Sequence, residues 1–508
     1  MARLQSHTGF TALALALGAC ERPPAPPPAL PPLPERAASA TEVLGEPRPQ
    51  RELSLVLTGD VRGEIEPCGC PTLPFGGFER RERLLSRPIG FGPVFQLDAG
   101  ELLTRGISST GSDRERRARV VLAASAQVGV LAWVPGPSDL LGLSPAQMAA
   151  IPSPRALSAT WLSPAGEPLF PASTVLEQEG RRVGIIGLSA APMGSSLSGQ
   201  VQVRDPVEAA REALAELPTD LDLVIALGSV ADEEADRVAR EVPGIGLMMT
   251  TAGRGYTDVR AVAGVPIIES LDRGRYAQVL ATRLGSTPDR PVELHPEPAT
   301  WRSLVQLRSQ SGAASTPALD GAEAALASLA SGRNLGWLET RPLAQDLDGP
   351  TRVSALLGEF KTTVLNEAAA RAAAPPPPAE PGYATAASCT SCHTTQFARW
   401  SFTDHTRAWQ SLVERQATAN PECLPCHTTG FGQPGGIGEL TTASVRAFKG
   451  VQCEACHGPM RGHPDDPRVQ SGPVTVERCL VCHDEANSPE FDWASYLPRA
   501  TCQTESLP

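Results

Sequence analysis

Cys389-Thr390-Ser391-Cys392-His393, Cys423-Leu424-Pro425-Cys426-His427, Cys453-Glu454-Ala455-Cys456-His457 and Cys479-Leu480-Val481-Cys482-His483 crowd the last quarter of this sequence. The spacing has a chemical reason. Two thiols three residues apart can each take one haem vinyl as a thioether, and the residue after the second Cys presents an imidazole to the iron. One copy alone reads equally as chance, a zinc half-site or a thioredoxin-like redox pair. Four copies, each with its His directly after the second Cys, leave those readings little room, because zinc has no need of that His four times over. The motifs predict four covalent c-type haems. Cys389, Cys392, Cys423, Cys426, Cys453, Cys456, Cys479 and Cys482 are the attachment thiols, and His393, His427, His457 and His483 the proximal iron ligands.

Counting imidazoles constrains the other side of each iron. The chain has eight His; removing the four proximal ligands and His7 leaves His295, His405 and His463. At most three irons can therefore gain a second imidazole, and only two without the sequence-distant His295. His405, in Asp404-His405-Thr406-Arg407, and His463, shortly after His457, are the distal candidates; the alternative for each is an ordinary surface histidine. Met460, Lys449 and Cys502 are the other side chains of the region able to bind iron.

The N-terminus predicts the compartment that this chemistry needs. Arg3, the apolar run Phe10 to Leu17, and Leu17-Gly18-Ala19-Cys20 read as a lipoprotein signal peptide over residues 1–19, with Cys20 as the lipidated first residue of the mature protein. The apolar run is too short to span a bilayer; the alternative is an ordinary cleaved signal with Cys20 incidental. Glu21, where an Asp would favour the inner membrane, leans toward the outer membrane, at its periplasmic or cell-surface face. Residues 20–51, with Pro26-Pro27-Pro28 at their centre, cannot build a core. They read as a tether that reaches up to about 90 Å at near 3 Å per residue in polyproline geometry.

Of twelve Cys, eight go to haem and one to lipid, leaving Cys68, Cys70 and Cys502. Three thiols cannot all pair with one another in an oxidising compartment. Cys68-Gly69-Cys70 has two open readings, an inert or strained pair and a redox or metal-binding pair. At 508 residues and 41% hydrophobic the chain is long enough for several cores. A net charge of −12 argues against a nucleic-acid partner and does not exclude a redox partner that docks through its own basic face.

Between the tether and the haem motifs the pattern changes. Leu53 to Leu57, Val94 to Leu97, Val183 to Leu188, Leu223 to Leu227 and Val265 to Ile268 are short apolar runs that read as buried strands. Pro206 to Leu217 and Asp232 to Val242 have helical composition and period. Strand and helix in alternation predict an α/β layered domain over residues 52–285. Residues 286–382 read as a helical connector, with Ala322 to Ala330 and Val353 to Ala373 as helices and the proline run Pro375 to Pro378 as its end; residues 383–508 form the haem domain.

Thr58-Gly59-Asp60-Val61-Arg62-Gly63, Gly76-Gly77-Phe78-Glu79-Arg80-Arg81, Leu97-Asp98-Ala99-Gly100-Glu101 and Val183-Gly184-Ile185-Ile186-Gly187-Leu188 resemble the 5′-nucleotidase-like metallophosphatases. That resemblance implies two metal ions held by His, Asp and Asn at strand ends, with a bridging hydroxide attacking phosphate. Asp60 and Glu101 remain as residual site positions. Arg62 stands where the partner His belongs, Pro137 and Ser138 replace an Asn-His pair, Ser229 replaces a His, and Ala252-Gly253-Arg254 replaces the closing His-x-His. Residues 21–388 contain one histidine, His295, so a binuclear site built on imidazoles has nothing to form from. The reading is a degenerate metallophosphatase-like domain with no second metal.

Cys423-Leu424-Pro425-Cys426-His427-Thr428-Thr429-Gly430-Phe431-Gly432, Val451-Gln452-Cys453-Glu454-Ala455-Cys456-His457-Gly458-Pro459 and the tail Asn487-Ser488-Pro489-Glu490-Phe491-Asp492 resemble the cytochrome c-554 type of tetrahaem cytochrome. The resemblance implies a mostly helical and irregular fold in which porphyrins form much of the core. The sequence is thus expected to encode a membrane-tethered extracytoplasmic electron carrier that serves redox partner proteins. Two alternatives stand beside it: a multihaem enzyme acting on a small nitrogen or sulfur compound at an open haem, and a living phosphohydrolase fused to a cytochrome.

Overall fold

The computed structural model describes residues 51–500 except 68–73, 91, 105–110, 193–198, 252–258, 286–289, 297, 312–313, 373–381, 421–422, 439, 467, 469–471, 485–486 and 489. Cys20, Cys68, Cys70, Arg254 and Cys502, all singled out above, lie outside the described residues.

Fifteen strands form among the described residues: β1 (Arg51–Thr58), β2 (Val94–Asp98), β3 (Val130–Trp133), β4 (Arg155–Ala156), β5 (Trp161–Leu162), β6 (Ser173–Gln178), β7 (Arg181–Leu188), β8 (Gln202–Val203), β9 (Leu223–Gly228), β10 (Leu247–Thr250), β11 (Arg260–Val262), β12 (Val265–Glu269), β13 (Tyr276–Leu284), β14 (Val292–Leu294) and β15 (Asn334–Pro342). Each apolar run read as a strand is one. Seven strands make a first sheet in the order β14-β15-β13-β1-β2-β3-β4, and six a second in the order β11-β12-β10-β9-β7-β6.

The two sheets face each other. Leu53, Leu55 and Leu57 of β1 and Phe95 and Leu97 of β2 share one fully buried core with Val183, Ile185, Leu223, Ile225, Leu227, Leu247, Met249 and Ile268 of the second sheet. Alternation along β1 then sends Val56 to the opposite face, against Leu84 and Val279. Helices cover the outer faces. Gly111–Val128 lies on the first sheet with Val353–Ala372 packed against it, and Pro206–Glu216 and Asp232–Glu241 lie on the second. Asp205 caps the helix Pro206–Glu216, its carboxylate accepting N–H bonds from Val207 and Glu208.

The expected helical connector is corrected in one respect. Residues 286–382 do supply the helices Pro298–Ser311, Pro317–Leu329 and Val353–Ala372, but they also contribute β14 and β15 to the first sheet. β15 runs antiparallel to β13 over eight residue pairs, from Tyr276 opposite Pro342 to Arg283 opposite Leu335. This segment therefore completes the α/β unit. The helical pair is pinned there by charge: Arg283 and Arg308 bond both Glu52 of β1 and Glu323.

From residue 382 onward the structure is short helices and turns, the longest being Asp404–Glu414. Its hydrophobic cluster is small, built on Leu412, Ala417 and Leu424. No helix among the described residues is long and apolar enough to cross a membrane.

Candidate functional site

The haem motifs sit on or beside single helical turns. Ala386–Cys389, Leu424–His427, Cys453–His457 and Val476–Leu480 are helices of four or five residues. A helical turn puts positions i, i+3 and i+4 on one face, so two thiols and an imidazole point the same way. All eight motif cysteines are free thiols here, and they stand in for thioether sulfurs.

The imidazoles fit iron. His427 Nδ1 lies 2.6 Å from the Ala408 carbonyl oxygen, which can only accept, so Nδ1 carries the proton and Nε2 is left to ligate. His483 Nδ1 is 2.9 Å from Ser488 Oγ, a hydroxyl that can accept its proton or donate to it. Burial holds His405, His427, His457 and His483 toward the neutral form, the one that binds metal.

The two distal candidates each meet a motif histidine. The His463 and His393 ring centres are 6.0 Å apart, and those of His405 and His483 are 6.2 Å apart. An iron bonded to one imidazole nitrogen on each side at about 2 Å puts the ring centres roughly 6 Å apart. His427 and His457 are then the motif imidazoles without a distal candidate. His295, the last one in the count, is on the first sheet with its ring 5.9 Å from Trp337.

Motifs far apart in sequence also adjoin. The thiols of Cys389 and Cys453 are in hydrogen-bond contact, and so are those of Cys426 and Cys482. Cys426 Sγ also lies 3.8 Å from the Val481 carbonyl oxygen. Glu454, a middle residue of the third motif that sequence reasoning passed over, ties the third motif to the first. Only 1% exposed, its carboxylate accepts N–H bonds from Ala384 at 2.8 Å, Thr385 at 2.7 Å and Met460 at 2.7 Å. Its sequence signal was a lone acid inside a haem motif.

Among the described residues of this region, Phe402 is 82% and Val481 68% exposed, with Leu480 and Val413 also exposed; Leu480 and Val481 are the middle residues of the fourth motif.

The second constellation is the rim where the first sheet's parallel strands end. Loops after β1 and β2 continue to pair beyond the sheet: Asp60 N donates to Gly100 O, Arg62 N to Glu101 O, and Gly63 N to Leu102 O. Asp60, Arg62 and Glu101 have φ of 55°, 51° and 51°, the left-handed region that residues with a Cβ avoid. Their carboxylates are already engaged. Arg62 Nε donates to Asp60 Oδ1 at 2.6 Å, and Ser138 donates to Glu101 through both its hydroxyl and its backbone N–H. Asp98 is pushed up by burial, against Arg81 and the Thr58 hydroxyl. Asp139 is raised well above the carboxylate range by burial and by Glu101. Ser229, at a position where the phosphatase resemblance expects a His, accepts an N–H bond from Ala190 at 3.0 Å. Acids bonded to protein donors, with arginine in place of imidazole, do not fit a two-metal centre.

These two parts are a region of four Cys-x-x-Cys-His motifs and an α/β sandwich that carries it. The profile of the family cytochrome c554 and c-prime matches residues 388–458, which include the first three motifs, and that family implies covalently bound haem iron. Cytochrome c-554 of Nitrosomonas europaea is 34% identical over 131 residues, a match covering 19% of this chain and 54% of that protein. This chain thus spans about half the length of the curated relative it matches. Solved structures are similar to the chain as well. A 5′-nucleotidase precursor from Thermus thermophilus is 19% identical with a TM-score of 0.44, over 62% of this chain and 59% of that one. A sulfate thiohydrolase, SoxB, from the same organism is 13% identical with a TM-score of 0.47, over 67% and 64%.

Proposed function

We propose that this protein is an extracytoplasmic four-haem electron carrier, held to a membrane by a lipid on Cys20, whose α/β domain has no phosphohydrolase activity. The observation that carries the reading is the geometry of the two imidazole pairs. Rings 6.0 and 6.2 Å apart leave room for one iron between His393 and His463 and another between His405 and His483. Irons closed on both sides exchange electrons without binding substrate. The haem supplies the one-electron chemistry; the chain orients each imidazole through Ala408 and Ser488 and holds the motifs close. Contacts between the first and third motifs and between the second and fourth, through Cys389–Cys453 and Cys426–Cys482, support haems near enough to pass electrons along the domain.

A second reading keeps a specific observation. With both distal candidates committed, the irons on His427 and His457 lack a second imidazole, and an open iron is a place for a small nitrogen or sulfur compound. The deciding experiment is the absorption spectrum of the holoprotein, reduced, with and without carbon monoxide. A carrier with open positions shows four haems per chain by pyridine haemochrome, with a carbon monoxide shift in the fraction borne by His427 and His457. Fewer than four haems from a host with working attachment machinery defeats the reading. The inactive α/β domain is tested separately: nucleotide hydrolysis with added Mn²⁺ stays below about 1 s⁻¹, the low end of ordinary turnover. Activity above that, abolished by Asp60→Ala, restores the phosphohydrolase.

A further inference from the structure

Arg273 follows β12 at the strand-end rim of the α/β domain. Its side chain is 3% exposed, and its backbone is left-handed with φ 54°. A left-handed arginine with a buried guanidinium costs free energy twice, once in backbone strain and once in desolvation. Such a residue persists only where its partners hold it.

Two of its partners are in the haem domain, more than 200 residues away. Arg273 Nη1 donates to Asn487 Oδ1 at 3.0 Å, and Nη2 lies 3.4 Å from Asp484 Oδ2. Asp484 directly follows the proximal ligand His483. Its carboxylate accepts the Asn487 N–H at 2.7 Å, and its carbonyl accepts the Ser488 N–H at 2.8 Å. Ser488 in turn is the hydroxyl at His483 Nδ1, 2.9 Å away. One chain of contacts therefore leads from the α/β rim to the iron-binding imidazole of the fourth motif. A neighbouring rim residue repeats the arrangement at the second motif. Arg117 Nη1 donates to the Gly63 carbonyl at 2.9 Å and Nη2 to Asn420 Oδ1 at 2.5 Å, and the Asn420 carbonyl accepts the Cys423 N–H at 3.0 Å.

We propose that Arg273 is a positioning residue for the fourth haem: from the α/β domain it holds Asp484 and Asn487 and offsets the charge of Asp484, holding the potential of the His483 iron up. The inference rests on the haem reading above. It gives the α/β domain a task that needs no metal, as a platform that sets the electronic properties of a haem in the other domain. The sign follows from charge. Oxidised haem carries one more positive charge than reduced haem, so a buried guanidinium nearby favours the reduced state, and an unneutralised carboxylate favours the oxidised one.

The test is a spectroelectrochemical titration of the holoprotein, with the fourth haem identified as the low-spin signal lost in His405→Ala. Arg273→Ala moves that haem's midpoint to more negative potential and leaves the other irons in place. Arg273→Lys, which keeps the charge, returns most of the shift. Asp484→Asn moves the midpoint the opposite way, and the double variant lies between the two single ones. A purely structural role for Arg273 predicts no rescue by Lys. That result overturns the proposal, as does an Arg273→Ala protein with all four midpoints unmoved or an Asp484→Asn protein with its midpoint unmoved. If Arg273→Ala fails to fold, Arg273→Gln takes its place and is read against Arg273→Lys in the same way. Peptide mass at Cys479 and Cys482 in the wild type separates the two failures: no haem there sinks the haem reading, whereas haem present with unshifted midpoints sinks only the clamp.

Discussion

The two parts of this chain differ in what fills their interiors. In the α/β unit, Leu53, Leu55, Leu57, Phe95 and Leu97 are 0% exposed, and their facing strands close over them. Beyond residue 382 the hydrophobic cluster amounts to three buried residues, while Phe402 and Val481 stand in solvent. One region is folded by its own side chains. The other is held by backbone turns and polar ties, with a small cluster of buried side chains.

The largest expected effect tests that contrast directly. A full chain produced without haem-attachment machinery, or with Cys453→Ser and Cys456→Ser together, should lose protection beyond residue 382 under limited proteolysis while the α/β unit stays resistant. Equal resistance in both parts would erase the distinction. Next in size is the coordination of the irons. His405→Ala and His463→Ala should each convert one haem from low to high spin, read by electron paramagnetic resonance, with fold and haem count unchanged. A variant that keeps its full low-spin signal removes that histidine from the ligand set.

Polar ties sharpen the comparison further. Glu454→Gln keeps the shape of the third motif but weakens three charge-assisted bonds, each worth about 1.5–3 kcal/mol, so the haem domain should melt several degrees lower and the α/β unit at its usual temperature. Melts that shift together would show the two parts to be one cooperative unit. The smallest effect belongs to the buried ion network of the α/β unit. Burial works against ionisation of Glu323, but Arg283 and Arg308 outweigh it and hold the carboxyl below the glutamate range. A depressed folded value means stability present above the ordinary pKa of about 4.3 and lost as pH falls through the folded value. Glu323→Gln should lower the melting temperature near neutrality, where that contribution is complete, and flatten the acid limb, so that variant and wild type converge as pH falls.

Legibility followed the same division. The haem motifs were readable because covalent attachment needs contiguous residues, and β1, β2, β7, β9 and β12 because parallel strands buried on both faces are continuous apolar runs. β15 was missed. Its Asn334-Leu335-Gly336-Trp337-Leu338-Glu339-Thr340 mixes polar and apolar residues because one half is buried and the other half-buried, and its partner β13 ends at Leu284, well beyond the reach of any local window. The distal candidates came from counting imidazoles. Only ring distances set each beside a particular motif histidine. Arg273 carried no signal at all, since a clamp on Asp484 exists only where two distant loops meet.

The left-handed backbone at Asp60, Arg62 and Glu101 has a consequence for local motion. Each such residue stores of order 1–3 kcal/mol, so the rim amides that bond Gly100, Glu101 and Leu102 should be among the first of the α/β unit to open to hydrogen exchange. Arg117 and Arg273 reach from this same rim to the haem loops. Linkage is reciprocal: if the rim steadies the haems, loading the haems must steady the rim, and exchange at Asp60, Arg62 and Gly63 should slow when iron arrives in the other domain.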